Sequence, residues 1–523
     1  MTGSNADEAH RPLLAADEPT ENYGTQDANP EEPTSSFSRQ LNAYNGFALL
    51  ISVIIGSGVF ASPGQVDTNV PSPGAALLIW LLGGILAWSG GNVLASLGTA
   101  FPGEGGIQQY LKYIYGDLAG FLAAWAWVTC VMPTTLAILS IVFVESIYSA
   151  IHPVGHDGTL GIQYKLVSVL VLVVMACVNA TGTKNSTRLS NAFVLIKLGS
   201  IGLVVLAGIV VVIIHASDHS KHVGGGDWHR KGWFTPRPSI GKNTRIDWRD
   251  IGSWEALGYI STAVYASLWG YASWDKANYV ANELKNPAKQ LPLAINTAIP
   301  TVVLSYVLVN TAYYILLPWD IIGQSDAIAV ESIKALLGKG AGLAFAALVC
   351  LVIAGALNGN IFVAGRLTVS AARKGYLPRS FGAIGQLGWE KKQLRSEDRN
   401  EYNSVAKPRF DAPFNALLLT VLISSLYIIF GNFRALLTFD GIAEYTFFFL
   451  TVAGDLILRY KEPDLQRPYK PSILFSILFA IVSGFVVVRC MIFAPVQLGV
   501  LVSVLVLGIV YYYVWNTREV IGR

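Results

Sequence analysis

Two short stretches of this chain set glycines and hydroxyl residues in the middle of long apolar runs, the materials of a binding site buried in a membrane. The first is Ile54-Ile55-Gly56-Ser57-Gly58-Val59-Phe60 and the second is Ser267-Leu268-Trp269-Gly270-Tyr271-Ala272-Ser273-Trp274. A helix in lipid keeps its backbone hydrogen bonds internal, because lipid offers no other partner. Glycines flanking a serine at mid-depth argue for local unwinding, which is tolerable only where protein or a polar cavity lines it. The half-helix that resumes presents free N–H groups and a positive dipole end, which suits a carboxylate. Small residues also serve simple close packing. The aromatic stripe Trp269, Tyr271, Trp274 reads equally as packing or as a gate.

Ionisable groups inside apolar segments are costly to insert and are functional candidates for that reason. Lys197 lies near one end of the fifth apolar segment. Its long stem could let the ammonium snorkel to the interface, or the charge could act inside. Glu444 reads as a proton carrier, a substrate contact or a solvated group. Asp275 reads as a hydrogen-bonding residue of the sixth segment, and Asp455 as an interfacial one.

The elements that must position these residues follow from composition. The chain has 523 residues, 53% hydrophobic and 14% charged, which marks a polytopic membrane protein. A net charge of +3 gives no reason to expect a nucleic-acid partner. The four cysteines lie in apolar segments without metal-like spacing, so neither a disulfide framework nor a zinc site is expected. No cofactor is expected, and an enzyme reading finds no nucleophile–base constellation.

Apolar segments of about twenty residues are long enough to span a bilayer. They fall near 41–66, 74–100, 119–151, 163–180, 191–215, 255–279, 291–317, 341–367, 413–430, 439–460, 471–492 and 496–515. Twelve spans put both termini on one side. With the termini cytosolic, 25 of the 37 Lys and Arg residues fall on the cytosolic side, as the positive-inside rule prefers. The interrupted segments are the first and the sixth, so the chain divides into two five-helix units. Corresponding interruptions in two halves point to a transporter's binding site. The expected organisation is an acidic, disordered cytosolic tail (1–40), helices 1–5 (41–216) and an extracellular loop (217–254). Helices 6–10 (255–460), helices 11–12 (461–515) and a short cytosolic end (516–523) follow.

Beyond the first break and Ser62-Pro63, the chain carries Trp274 followed by Asn278-Tyr279-Val280, then Glu283-Leu284-Lys285-Asn286-Pro287. It continues with Leu291-Pro292-Leu293-Ala294-Ile295, Asn358-Gly359, Arg366 and Arg373-Lys374-Gly375-Tyr376-Leu377-Pro378. Arg459-Tyr460-Lys461-Glu462-Pro463-Asp464-Leu465-Gln466-Arg467-Pro468 precedes the eleventh segment. In this order and spacing, from about Asn45 to Trp515, the chain resembles the amino acid–polyamine–organocation superfamily. Within it the likeness is to the L-type amino acid transporter branch that includes the fungal methionine permeases.

The resemblance implies an all-α fold of twelve transmembrane helices, a leucine-transporter-type 5+5 inverted repeat plus two C-terminal helices. It implies an α-amino acid held between the breaks of helices 1 and 6. The carboxylate would sit at the N–H groups of Ser57, Gly58 and Val59, beside the carbonyls of Ile55 and Gly56. The ammonium would meet carbonyls near Ser267, Leu268 and Gly270, with Trp269 as gate. Thr134, Thr135, Glu444 and Tyr445 match positions lining the side-chain pocket. Lys197 would stand in for a sodium ion between helices 1 and 8. In helix 8, 341–367 holds no serine or threonine to serve as an oxygen ligand for that cation.

Departures from the family pattern concern substrate preference. They are Ser96 and Ile107 where relatives carry acids, Glu104 displaced across Gly105-Gly106, Trp127 for a glutamate and Met132 for an arginine. The loop from about His152 to Gln163 lacks the cysteine that joins heteromeric members to a heavy chain, so a monomer without that disulfide is expected. The leading expectation is a multi-pass, sodium-independent transporter of large neutral amino acids, methionine included, coupled to protons or working by exchange. The plasma membrane is preferred over the vacuolar membrane. A polyamine or cationic amino acid carrier, or a non-transporting sensor, are the other readings.

Overall fold

The computed structural model describes residues 42–101, 105–151, 161–181, 183–220, 223–241, 245–325, 327–385 and 412–521. Helix α1 (Ala43–Ile54) starts where the Asn42 side chain accepts from the Asn45 N–H at 2.9 Å. It breaks at Ile55-Gly56-Ser57 and resumes as α2 (Gly58–Ala61) and α3 (Pro63–Thr68). Ser72 caps α4 (Pro73–Ala100), with proline in its first turn. After α5 (Ile107–Tyr115), α6 (Asp117–Ala126) runs through a π-helical turn, Trp127–Val131, into α7 (Met132–Ile151). Helices α8 (Ile162–Ala180), α9 (Thr183–Ser217) and α10 (Asp227–Arg230) follow. A two-residue antiparallel pair, β1 (Ser239–Ile240) with β2 (Arg245–Ile246), closes the long loop.

The second half opens with α11 (Ser253–Gly270), a break, and 3₁₀ turns over Trp274–Glu283. Then come α12 (Pro287–Leu316), α13 (Trp319–Ile322), α14 (Ile328–Leu337) and α15 (Lys339–Arg373). The chain ends with α16 (Phe414–Phe430), α17 (Phe433–Lys461), α18 (Ile473–Phe493) and α19 (Pro495–Ile521). Each of the twelve expected segments contains a helix. Among the described residues nine are long and apolar enough to cross a membrane, and two shorter apolar helices accompany them. The remaining one is α11 with its 3₁₀ continuation. The expected tail, most of the 152–163 loop and Glu104 lie outside the described residues.

Burial sorts the helices into a core and a lipid-facing rim. The first span is 78% buried and the third 83%, whereas the fourth is 22% and the last 11% buried. The rim helices expose Leu170, Leu206, Val506 and Leu507, a surface that only hydrocarbon tolerates over so wide an area. In the core, α1 packs on α9, α12 and α15, while α11 packs on α3 and α4. The loop after α9 is stapled to one end of the bundle. Arg237 pairs with Asp67 at 2.6 Å, Tyr314 donates to the same carboxylate at 2.6 Å, and Ser239 donates to the Val70 carbonyl.

Asp455, expected near the cytosolic interface, is fully enclosed by protein. It accepts from Arg459 at 2.9 Å, Arg467 at 2.7 Å and Ser476 at 2.7 Å, tying α17 to α18 and to the segment between them. Removing one member of such a group strands the others as buried charges. Asp455→Leu is expected to destabilise the protein by about 3–5 kcal/mol, read as a lowered thermal midpoint of the detergent-solubilised protein. A midpoint unchanged from wild type would make the network a passive contact.

Candidate functional site

The first break leaves donors free. The Ile55 N–H still closes the last turn of α1 on the Ile51 carbonyl at 3.1 Å, and the chain then turns extended. The next backbone bonds run from the Phe60 and Ala61 N–H groups to the Ser57 carbonyl, at 3.0 and 2.9 Å. Among the described residues the N–H groups of Gly56, Ser57, Gly58 and Val59 find no acceptor. They form the N-terminal end of the resumed half-helix. Ser57 Oγ is buried and unpaired beside them.

The second break frees acceptors. At the end of α11 the Tyr271 N–H bonds the Ser267 carbonyl at 3.1 Å and the Ala272 N–H bonds that of Trp269 at 3.0 Å. The Leu268 and Gly270 carbonyls find no backbone donor among the described residues. Ser273 turns the chain at a φ of 75°, the left-handed region that non-glycine residues rarely adopt, and its hydroxyl donates to Asn360 Oδ1 at 3.3 Å. The two breaks touch. A Cβ built on Gly58 would lie 2.7 Å from Gly270 Cα and 3.1 Å from the Gly270 carbonyl oxygen. Trp269 is half-buried near this contact in sequence, its ring edge-on to Phe433 at 5.8 Å.

The carbonyls freed on the α1 side have side-chain donors. Lys197, fully buried on α9, donates to the Ser52 carbonyl at 2.5 Å and to the Ile55 carbonyl. Its ammonium therefore does not snorkel. Tyr306 on α12 donates to the Ile54 carbonyl at 3.1 Å, and Ser52 Oγ reaches the Gly355 carbonyl on α15 at 3.1 Å. Gly355 leaves room for the lysine, since a Cβ there would come within 2.9 Å of Lys197 Cε.

Of the residues assigned to the side-chain pocket, Thr134, Glu444 and Tyr445 are buried and Thr135 partly so. The Thr135 hydroxyl lies 3.4 Å from both oxygens of Asp440, one turn before Glu444 on α17. Glu444 is not solvated. It accepts from Lys276 at 2.9 Å, and Lys276 also lies 3.0 Å from Asp275 Oδ1 and donates to Oδ2 at 3.1 Å. Sequence reasoning missed Lys276, Asp440 and Tyr306. Lys276 carried a signal, a lysine inside the expected sixth span, which the adjacent Asp275 and the aromatic stripe obscured.

The family model for amino acid permeases matches residues 41–515. The chain belongs to the amino acid permease family. The match covers both breaks and all the helices described above except the end of α19, and it makes the protein a multi-pass membrane transporter rather than an enzyme. Mouse large neutral amino acids transporter small subunit 2 is 28% identical over 498 residues, covering 94% of this chain and 85% of its own. Human b(0,+)-type amino acid transporter 1 is 27% identical over 486 residues, 93% of this chain and 89% of its own. The human cystine/glutamate transporter is 27% identical, covering 94% of this chain and 88% of its own. These relatives bear out the L-type resemblance drawn from the sequence.

Gly58 offers the sharpest single test of the meeting breaks. A methyl group there has backbone, not a flexible side chain, in its way, and overpacking of this kind costs about 1–3 kcal/mol. Gly58→Ala is expected to lose most amino acid uptake while reaching the membrane in normal amount, measured as tracer uptake against surface-labelled protein. Wild-type uptake by Gly58→Ala would remove the contact from the functional site.

Proposed function

We propose that this permease is a secondary transporter of large neutral L-amino acids, methionine among them, working by alternating access without sodium. The observation that carries the reading is the contact of the two breaks at Gly58 and Gly270, one break with N–H groups and the other with carbonyls that find no backbone partner among the described residues. An α-amino acid needs donors for its carboxylate and acceptors for its ammonium a few ångströms apart, and helix termini supply both without a charged side chain. Trp269 serves as the gate over the bound molecule. Thr134, Thr135 and Tyr445 line the compartment for its side chain. Residues 41–216 and 255–460 act as the two inverted repeats that rock about this point.

The name of the mouse relative supports a large neutral substrate, but the b(0,+)-type and cystine/glutamate relatives match to a nearly equal degree. Identity alone therefore does not choose the side-chain class. The protein is assigned to the plasma membrane with both termini cytosolic. It is assigned a monomeric state without a covalent heavy chain, because 152–163 contains no cysteine.

Lys197 supports the sodium-free reading. Its ammonium binds the Ser52 and Ile55 carbonyls, the kind of oxygen ligands a hard cation would take there. The deciding experiment is uptake of labelled methionine into proteoliposomes with a sodium gradient, a proton gradient or neither, in wild type and Lys197→Ala. Sodium should change nothing. Lys197→Ala should lose about tenfold or more, since a buried acceptor left unpaired costs about 1–3 kcal/mol. Stimulation by the proton gradient identifies symport, and acceleration only by internal amino acid identifies exchange. Sodium-driven accumulation would sink the proposal. On a non-reducing gel of surface protein, a larger species that collapses on reduction would contradict the monomer.

A further inference from the structure

Lys276 lies in the 3₁₀ turns that follow the second break, with its side chain wholly enclosed. Asp275 and Glu444 hold its ammonium directly, at 2.9–3.1 Å. Asp440 sits one helical turn before Glu444, on the same side of α17. It lies within the electrostatic reach of Lys276, Glu444 and Asp275. Two carboxylates thus hold one ammonium with a third carboxylate nearby, and among the described residues Asp440 has only the long contacts from the Thr135 hydroxyl. Two further buried groups of this wall have no hydrogen-bond partner among the described residues. They are Thr134 Oγ1, next to Thr135, and the Tyr279 hydroxyl, which lies in the field of both Asp275 and Glu444.

Stability does not explain this arrangement. A buried ion pair contributes little net stabilisation once desolvation is counted, and two acids in excess of the base make the group more costly still. Thr135 and Tyr445, which the proposed function puts around the substrate's side chain, adjoin Asp440 and Glu444, and the present inference rests on that reading. A compartment with surplus carboxylates and unpaired hydroxyls would attract an ammonium or guanidinium. Here the chain itself supplies the ammonium, on the same four-carbon stem that lysine has.

We infer that Lys276 is a specificity-determining residue: its ammonium occupies, as a fixed part of the protein, the place between Glu444, Asp275 and Asp440 that the charged end of a cationic amino acid would take. A substrate cation would have to share Asp275 and Glu444 with an ammonium that is covalently part of the chain and that repels it at close range. A neutral side chain meets no such charge penalty. Exclusion of the wrong partner by a built-in repulsive element is a general route to specificity.

The test compares purified wild type with K276Q, K276Q/E444Q and K276R. The double variant removes one charge of each sign, so the cluster keeps its net charge and the burden on folding is eased. Two readouts are used for each protein: competition of L-lysine and L-arginine against labelled methionine uptake, and the thermal shift each amino acid produces in detergent. Wild type and K276R should be insensitive to both cationic amino acids. K276Q and K276Q/E444Q should become sensitive at concentrations lower by about tenfold or more, with a thermal shift by L-lysine that wild type lacks. A folded K276Q or K276Q/E444Q no more responsive to L-lysine than wild type overturns the inference. So does loss of folded protein in both when K276R is intact, because Lys276 is then only a structural counter-ion. A wild type that itself responds to L-lysine overturns it too. A wild type that responds to no neutral amino acid defeats the proposed function instead, and the thermal shifts of the variants still decide the role of Lys276.

Discussion

A hydrocarbon interior supplies no hydrogen bonds, so every backbone group released by unwinding a transmembrane helix must be answered by protein or by a ligand. At the first break the two kinds of group are answered differently. The carbonyls of Ser52, Ile54 and Ile55 receive donors from Lys197 and Tyr306 on two other helices. The N–H groups of Gly56 through Val59 find no acceptor among the described residues. The break is thus held open by permanent contacts on its acceptor side and left hungry on its donor side. That asymmetry is what turns a flaw in a helix into a place for an anion.

Glycine lets the two breaks meet. Gly58 and Gly270 approach so closely that neither tolerates a Cβ in the present arrangement, Gly58 against Gly270 and Gly270 against the Trp80 ring. Trp80 is itself enclosed by Tyr271 and Tyr306 at centroid distances of 5.9 and 5.7 Å. Tyr306 also holds the Ile54 carbonyl, so one aromatic group on α4, α11 and α12 supports both breaks. Side chains locked by packing are what keep a binding constellation in register. The lipid-facing helices take little part in this and supply instead the apolar rim that keeps the core in the bilayer.

The charges of the interior fall into separate groups with different logic. Asp455 with Arg459, Arg467 and Ser476 is a closed knot in which both carboxylate oxygens are used. Lys197 is a cation that, among the described residues, meets backbone carbonyls and no acid. Lys276 stands among more acids than it can neutralise, at the wall formed by α7 and α17. A knot, a plug and a guarded compartment differ in what answers the charge: guanidiniums around one carboxylate, backbone carbonyls around an ammonium, and carboxylates around an ammonium.

The sequence by itself determined the twelve helical segments, because apolar length is a local property and hydrocarbon thickness sets its scale. It also located both interruptions, since glycine and serine at mid-depth are visible without knowing any neighbour. Lys197 was legible as an ionisable residue in a span, though its partners Ser52 and Ile55 were not. The tertiary structure alone decided that Gly58 meets Gly270, residues 212 positions apart. It gave Asp455 its partners Arg459, Arg467 and Ser476, and it made Glu444 a partner of Lys276 rather than a solvated carboxylate. Tyr306 gave no local sign, whereas Asp440, an acid at the start of the tenth segment, carried one that was passed over. The reason is physical: whether a residue breaks a helix depends on its own backbone and near neighbours, whereas what a charge does depends on which other charges packing brings within a few ångströms.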